Sequence, residues 1–177
     1  MSAAGESLAL AEMLGGALMT RGLKLATAES CTGGLIAAVV TGVAGSSAWF
    51  DRGFVTYSNE AKIDMLGVRS ETLAANGAVS EPVAREMALG ALARSVADLA
   101  VAVTGVAGPS GGSAEKPVGM VCFAWAQRDG GIESDTRRFG GDRAEVRAAT
   151  VTAALARLLE LARGGTGPAK EGPGRSA

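Results

Sequence analysis

The segment 99–104, LAVAVT, restricts the fold of this chain more than any other feature. It is an apolar run too short for a typical helix, and Val and Ala occupy both of its alternating faces, so both faces must be buried. A strand of this kind lies in the middle of a sheet that is covered by helices on both sides. Aromatic residues make up only 4% of the chain, so the layers must be built from Ala, Val, Leu and Ile.

Helical and extended patterns alternate along the rest of the chain. Apolar spacing predicts helices at about 6–21, 35–40 and 59–66, two helices that start near Ser70 and Ser80, and a last helix whose capping box is Asp142 with Glu145. Strands are predicted at 24–28, 50–58, 99–104, 118–126 and 132–139, the last two joined by a turn at 129–131. This order predicts an α/β fold, a three-layer α/β/α sandwich with a mixed, mostly parallel sheet. We expect one domain at 1–163 and a disordered Gly/Pro-rich tail at 164–177.

Charge and composition argue against several classes of partner. The net charge is −1 and Lys and Arg are dispersed, which argues against nucleic-acid binding through phosphate neutralisation. No basic segment precedes an apolar stretch at the N-terminus, and no apolar run approaches the length of a membrane span, so we expect a cytoplasmic protein without membrane contact. Cys31 and Cys122, far apart in sequence, are expected to be reduced.

The chain contains no histidine, which excludes Ser-His-Asp and Cys-His catalysis and His-ligated metal sites. Two cysteines cannot form a Cys-rich zinc site. The phosphate-loop pattern GxxxxGK[ST] and the dinucleotide pattern GxGxxG are also absent. We therefore expect neither a metal nor a cofactor.

Ser30 is a candidate nucleophile because it lies where a predicted strand passes into a helix. Thr32, Gly33 and Gly34 follow it, and we expect their backbone N–H groups to stay open to a ligand or an oxyanion. The competing interpretation is that Ser30 merely caps the helix. Cys31 is an alternative nucleophile, although a plain buried cysteine is the simpler interpretation.

A serine nucleophile without histidine needs another base, and lysine is the next option. Lys24 opens the first strand, roughly 20 Å from Ser30 at about 3.3 Å per residue. Lys62 follows the second strand, so a parallel arrangement brings it to the same edge as Ser30; Lys116, on a later loop, stays an alternative. The competing interpretation of Lys62 is an exposed helix lysine.

Further segments are candidates for binding a substrate. The glycine-rich stretch 104–112 leaves the central strand at the edge proposed for Ser30, where its backbone can approach a phosphate or a ribose. A small polar loop at 45–47 is a third candidate wall, and Arg143 is a candidate partner for a phosphate. The residues of interest in these segments are Ser47, Thr104, Gly105, Gly108 and Arg143.

Several of these segments together resemble the CinA C-terminal-domain family, and in particular its stand-alone nicotinamide-nucleotide amidohydrolase form. The motifs are TAESCTGGLIA at 27–37, GSSAWFDRGFVTYSNEAK at 45–62, GAVSEP at 77–82, VAVTGVAGPSGG at 101–112, EKPVGMV at 115–121 and GDRAEVR at 141–147. The resemblance covers roughly residues 6–162. The chain departs from the family pattern at Ser110, where an acidic residue is common.

The resemblance implies a three-layer α/β/α fold and hydrolysis of nicotinamide mononucleotide (NMN) to nicotinate mononucleotide and ammonia, a step that recycles pyridine nucleotides. It implies that Ser30 is the nucleophile and Lys62 its base. Tyr57, Ser47 and Thr104 are expected to line the pocket, and Cys31, Thr32, Gly33, Gly105, Gly108 and Arg143 complete the expected substrate contacts. Neither a metal nor an organic cofactor is implied.

Two other functions compete with this one. The same glycine loops would serve a non-catalytic module that senses a nucleotide or binds a partner in a competence or DNA-damage context. A phosphotransferase is a further alternative, and it would need a divalent metal. Whether the chain forms a homo-oligomer stays open.

Overall fold

The structure is a computed structural model that describes residues 3–164, in which helices and strands alternate. The helices are α1 (Ala3–Arg21), α2 (Leu35–Thr41), α3 (Asn59–Leu66), α4 (Ser70–Asn76), α5 (Glu81–Ala93) and α6 (Arg143–Ala162). The strands are β1 (Leu25–Glu29), β2 (Phe50–Val55), β3 (Leu99–Gly105), β4 (Met120–Gln127) and β5 (Ile132–Arg138), and a short 3₁₀ helix spans Ser46–Ala48.

The strands form one five-stranded sheet in the order β2-β1-β3-β4-β5. β1 pairs in parallel with β2 and with β3, β4 is antiparallel to β3, and β5 is antiparallel to β4. Only β4 therefore runs against the other strands of this sheet. The prediction of a mixed, mostly parallel sheet is confirmed.

Helices cover both faces of the sheet, and side chains of different size line the two faces. On β3, Leu99, Val101 and Val103 belong to the core cluster that contains α1, α2 and α6. Ala100 and Ala102 point to the opposite side, into the cluster with α3, α4 and α5. The prediction that segment 99–104 is buried on both faces is confirmed, and the alanines on one side let α5 approach the sheet closely.

Element boundaries differ from the predictions by a few residues. β2 ends at Val55, where its pairing with β1 stops, so the predicted residues 56–58 lead into α3 instead. Ser70 is the first residue of α4 and Arg69 is the cap. The capping box of α6 is confirmed, because Asp142 accepts from the Glu145 amide and the Glu145 side chain accepts from the Asp142 amide. The predicted tail lies, apart from Gly164, outside the described residues.

Within residues 3–164, no helix combines the length and the apolar character that crossing a membrane requires.

Candidate active site

Ser30 lies at the edge of the sheet where β1, β2 and β3 end, at Glu29, Val55 and Gly105. We call this the carboxyl edge, and the opposite edge, where the same strands begin, the amino edge. The Ser30 amide donates to the Val103 carbonyl at 3.0 Å, which holds the serine in line with the β1–β3 ladder. The residue is buried, with 8% of its surface exposed. Its hydroxyl is therefore fixed at a place where open α/β sheets bind ligands.

Lys62 reaches the same edge from α3. Ser58 caps this helix by accepting from the Ala61 amide at 3.0 Å, so Lys62 lies in the first turn beyond the end of β2. Its Nζ lies 3.0 Å from Ser30 Oγ and donates to the Thr56 carbonyl at 2.9 Å. Only 1% of the residue is exposed, so the competing interpretation of an exposed helix lysine is wrong.

Burial lowers the pKa of Lys62 below its ordinary value of 10.5. The cause is desolvation, which penalises the ammonium form. None of the salt bridges among residues 3–164 includes Lys62, so no carboxylate offsets that penalty. The neutral amine, which is the form that can accept a proton from Ser30, is favoured relative to a solvent-exposed lysine.

Cys31 is a buried free cysteine beside Ser30. Burial, with a smaller contribution from the nearby Glu29 carboxylate, raises the pKa of its thiol to about 11. The thiolate, which is the reactive form of cysteine, is therefore scarce at neutral pH. This environment argues against the alternative in which Cys31 is the nucleophile. Cys122 is also free and buried.

Glu29 is the important residue that the sequence analysis missed. Its buried carboxylate accepts from the amides of Gly34, Ile36 and Ala37 at 3.1, 3.0 and 2.8 Å. It also accepts from the Thr32 hydroxyl at 2.6 Å. The expectation that the N–H groups of Gly33 and Gly34 stay open is wrong, because Gly34 donates to Glu29 and Gly33 donates to the Ser30 carbonyl.

Two backbone N–H groups of the loop between β1 and α2 donate to no other residue of the described chain. The Leu35 amide donates to the Thr32 carbonyl, which leaves Cys31 and Thr32 as the remaining amides between Ser30 and Ala37. No oxygen in the described part of the chain accepts from these two N–H groups. The Cys31 amide, which contacts only its own thiol and belongs to a residue of the cavity wall, is the candidate donor for an oxyanion.

A cavity of about 230 Å³ opens at this site. The cavity brings together many of the residues that the sequence analysis selected, namely Ser30, Cys31, Tyr57, Lys62, Thr104, Gly105 and Arg143. It is also lined by four residues that were not selected, Asn59, Ala78, Val79 and Ala107. A signal was available for all four, because each lies in a quoted motif: Asn59 in 45–62, Ala78 and Val79 in 77–82, and Ala107 in 101–112.

Arg143 is held at the cavity by two hydrogen bonds from the first turn of α6. Its guanidinium donates to the Gly108 carbonyl at 2.8 Å and to the Tyr57 hydroxyl at 2.9 Å. Tyr57 is 61% exposed, so this pair marks the mouth of the cavity. An oriented guanidinium at the mouth is a suitable partner for a phosphate group.

Thr104 forms part of the inner wall and is 1% exposed. Its hydroxyl donates to the Ala78 carbonyl at 2.9 Å, which ties the end of β3 to the segment before α5. The observed contact of Thr104 is therefore with the protein's own backbone, and because its hydroxyl hydrogen is used there, it can offer a ligand only the acceptor lone pairs of its oxygen.

Other selected residues do not line the cavity. Ser47 lies in the 3₁₀ helix that leads into β2, hence at the amino edge, because β2 begins where its partner β1 begins. Lys116 Nζ donates to the Asn76 carbonyl, so the alternative in which Lys116 is the base has no support. Four of the selected residues are absent from the cavity lining, namely Thr32, Gly33, Ser47 and Gly108. Ser110 is exposed and also lies outside the lining.

Larger grooves lie elsewhere on the surface of the described residues. One of 740 Å³ follows β5, one of 710 Å³ lies between α1 and α6, and one of 380 Å³ lies near the C-terminal ends of these two helices. None of these three contains the pair formed by Ser30 and Lys62. Residues 3–164 contain no cluster of three or more His, Cys, Asp or Glu side chains that could hold a metal ion.

Known proteins with the same sequence features identify the family. The model of the CinA C-terminal domain matches residues 7–162. The nicotinamide-nucleotide amidohydrolase PncC of Escherichia coli K12 is 59% identical over 88% of this chain and 94% of its own length. A CinA-like protein of Mycolicibacterium gilvum is 53% identical over 84% of this chain but only 35% of its own length. The crystal structure of the competence/damage inducible protein CihA from Agrobacterium tumefaciens superposes with a TM-score of 0.87 at 55% identity, covering 88% of this chain and 95% of that one. The chain belongs to the CinA C-terminal domain family.

Proposed function

We propose that this protein hydrolyses the carboxamide of NMN to nicotinate mononucleotide and ammonia, with Ser30 as nucleophile and Lys62 as base. The observation that carries the proposal is the buried Lys62 amine 3.0 Å from the Ser30 hydroxyl in a cavity of about 230 Å³ at the carboxyl edge. The substrate is inferred from the similarity to the Escherichia coli amidohydrolase PncC, which extends over nearly the whole of that relative.

The chemistry follows from the positions of three groups. Neutral Lys62 takes the Ser30 proton while Oγ attacks the carboxamide carbon, and the Cys31 amide stabilises the resulting oxyanion. The C–N bond then breaks, Lys62 gives its proton to the leaving nitrogen, and ammonia departs. Water, deprotonated by Lys62, hydrolyses the ester on Ser30 and releases the carboxylic acid. Lys62 returns the proton to Ser30 at the end of the cycle.

The size of the cavity suggests how NMN is oriented. About 230 Å³ is less than the roughly 300–1,000 Å³ of a typical small-molecule site. The cavity therefore accepts the nicotinamide end, which carries the reacting bond, and the nucleotide remainder lies at the mouth. There Arg143 is available to the phosphate, since Tyr57 and Gly108 already orient its guanidinium.

The proposal includes a cellular setting and the division of the chain. The reaction returns a pyridine nucleotide to a form that can be reused, needs water as the only second reactant, and takes a small molecule as partner. The two free cysteines suit the reducing conditions of the cytoplasm. We assign the activity to one domain at residues 1–163.

The experiment that tests the proposal is ammonia release from NMN in the presence of a chelator, by wild type, Ser30→Ala and Cys31→Ala. We expect wild type and Cys31→Ala to release ammonia, and Ser30→Ala to lose at least about 10³-fold in kcat, as expected when a nucleophile is removed. Activity that survives in Ser30→Ala and disappears in Cys31→Ala would assign the reaction to the thiol. An inactive wild type that still binds NMN would favour a nucleotide-sensing module, the alternative that the sequence left open.

A further inference from the structure

Glu29 is the last residue of β1 and immediately precedes Ser30, yet the chemistry described above does not use it. The residue is 1% exposed, and its backbone is locked between two neighbouring strands, where it pairs with Val55 and Val103. Its carbonyl accepts from the Thr56 amide at 2.8 Å, next to the carbonyl that holds Lys62.

The side chain of Glu29 replaces the usual cap of α2. The residue in the cap position is Gly34, which has a positive φ of 97° and no side chain with which to cap. Glu29 lies several residues upstream and accepts from three amides at the start of this helix. It thereby satisfies donors that would otherwise be orphaned, and it also holds the Thr32 hydroxyl.

These contacts fix the loop of residues 30–34 from both ends. The backbone of Glu29 anchors the start of the loop to the sheet, and its carboxylate anchors Thr32 and Gly34 farther along. Arg147 adds a contact from α6 by donating to the Thr32 carbonyl at 2.8 Å. Each amide from Gly33 to Ala37 thus has an acceptor, whereas within residues 3–164 no other residue accepts from the amides of Cys31 and Thr32, and the Cys31 amide contacts only its own thiol.

We propose that Glu29 is a positioning residue for the oxyanion hole: its carboxylate accepts from the amides at the start of α2 and fixes the loop so that the Cys31 amide faces the reacting carbonyl. This inference rests on the proposed function, in which Ser30 is the nucleophile. Cys31 lines the cavity, and the amide after a nucleophilic serine is a recurrent oxyanion donor. Glu29 itself touches no substrate and acts through the loop.

The charge of Glu29 has a second consequence. A carboxylate at the first turn of α2 neutralises the positive end of that helix, which would otherwise attract an anionic group. The phosphate of the substrate therefore has no anchor at α2 and is left to Arg143 at the mouth. Glu29 thus separates the place that stabilises the transient oxyanion from the place that holds the permanent anion.

The test is Glu29→Gln, which keeps the shape of the side chain but replaces one acceptor oxygen by an NH₂ group that faces N–H donors. Displacement of the loop should lower kcat for NMN by about 10- to 100-fold. KM should change by less than about threefold, because the phosphate and the ring are held elsewhere. The pH at which kcat/KM for NMN reaches half of its maximum should be unchanged, because the substitution does not alter the contacts of Lys62.

The matched control is Glu86→Gln. Glu86 accepts from the Arg69 amide and from the Thr72 hydroxyl, so it ties down the start of α4 much as Glu29 ties down α2, but far from the cavity. Both variants should lower the melting temperature, and only Glu29→Gln should lower kcat per folded molecule. Equal kcat values in the two variants would overturn the proposal, as would a rise in KM at unchanged kcat.

Two further measurements keep the proposal falsifiable. If Glu29→Gln does not fold, Thr32→Val removes a single contact to the carboxylate and should lower kcat by about three- to tenfold; an unchanged kcat would overturn the proposal.

If wild type does not cleave NMN, the proposed function fails, and the rate at which a fluorophosphonate labels Ser30 still tests Glu29. In that labelling Ser30 Oγ bonds to phosphorus, fluoride leaves and Lys62 takes the proton. Labelling as fast in Glu29→Gln as in wild type would overturn the role of Glu29 alone.

Discussion

Each of the two edges of the sheet carries a lysine, and the two lysines lie in opposite environments. At the amino edge the Lys24 amide donates to the Asp98 carboxylate at 2.8 Å, and the Lys24 carbonyl accepts from the amides of Asp98 and Leu99. The backbone polar groups around Lys24 thus join β1 to β3, and its side chain is only half-buried. At the carboxyl edge the Lys62 amine is buried without a carboxylate partner, beside a serine hydroxyl. The candidate site is therefore distinguished by a buried amine beside a buried hydroxyl, a pair that the larger grooves along β5 and between α1 and α6 do not contain.

The largest effect is expected when the lysine amine is removed at the carboxyl edge, and the same change at the amino edge is its control. Lys62→Met keeps most of the volume and apolar stem but removes the base, so kcat/KM for NMN should fall by at least about 10³-fold. Lys24→Met should leave kcat/KM within about twofold, because surface changes away from the site have little effect. Steady-state ammonia release checks both variants. A comparable loss in both would erase the distinction between the two edges.

Arg143→Gln should have an intermediate effect, because it removes charge from the mouth of the carboxyl edge. A charge-assisted contact contributes about 1.5–3 kcal/mol, so KM for NMN should rise about 10- to 100-fold while kcat changes little. Nicotinamide riboside lacks the phosphate, and its kcat/KM should be the same in wild type and variant. Arg69→Gln, which changes a guanidinium paired with Glu86 away from the cavity, is the control. An equal loss for the riboside would mean that Arg143 does not recognise the phosphate.

The smallest expected effect is on stability and follows from the pKa of Lys62. Burial lowers this pKa below 10.5, so between the lowered value and 10.5 the unfolded chain binds more protons than the folded one. The free energy of unfolding of wild type should therefore rise relative to that of Lys62→Met as the pH increases through this window. Urea unfolding of both proteins at several pH values measures the difference. A difference that is constant or falls with pH would show that burial does not penalise the ammonium.

The sequence was sufficient to predict the features that depend on local pattern or on strand direction. The burial of segment 99–104 follows from its unbroken apolar run, and the cap of α6 follows from Asp142 and Glu145. The meeting of Lys62 with Ser30 follows from parallel strands that end at one edge. The error at Ser47 was avoidable by the same argument, because Ser47 precedes its strand whereas Ser30 follows one.

Other features of the site depend on tertiary contacts that no local pattern reveals. The capping of α2 comes from Glu29, a strand residue separated from the helix by a loop, so no cap signature occurs at the helix start. The contacts of Arg143 join residues that are 35 and 86 positions apart along the chain. Asn59, Ala78 and Ala107 lie in segments that the sequence motifs had marked, but their place in the cavity wall depends on how loops from different strands pack at one edge.

The central claim is that neutral Lys62 activates Ser30, and the pH dependence of kcat/KM for NMN tests it most directly. The account predicts that kcat/KM of wild type rises with pH through one ionisation below 10.5, the ordinary pKa of lysine, and then becomes constant. The residual activity of Lys62→Met should lack that ionisation. A Lys62→Met variant with the rate and the pH profile of wild type would contradict the account.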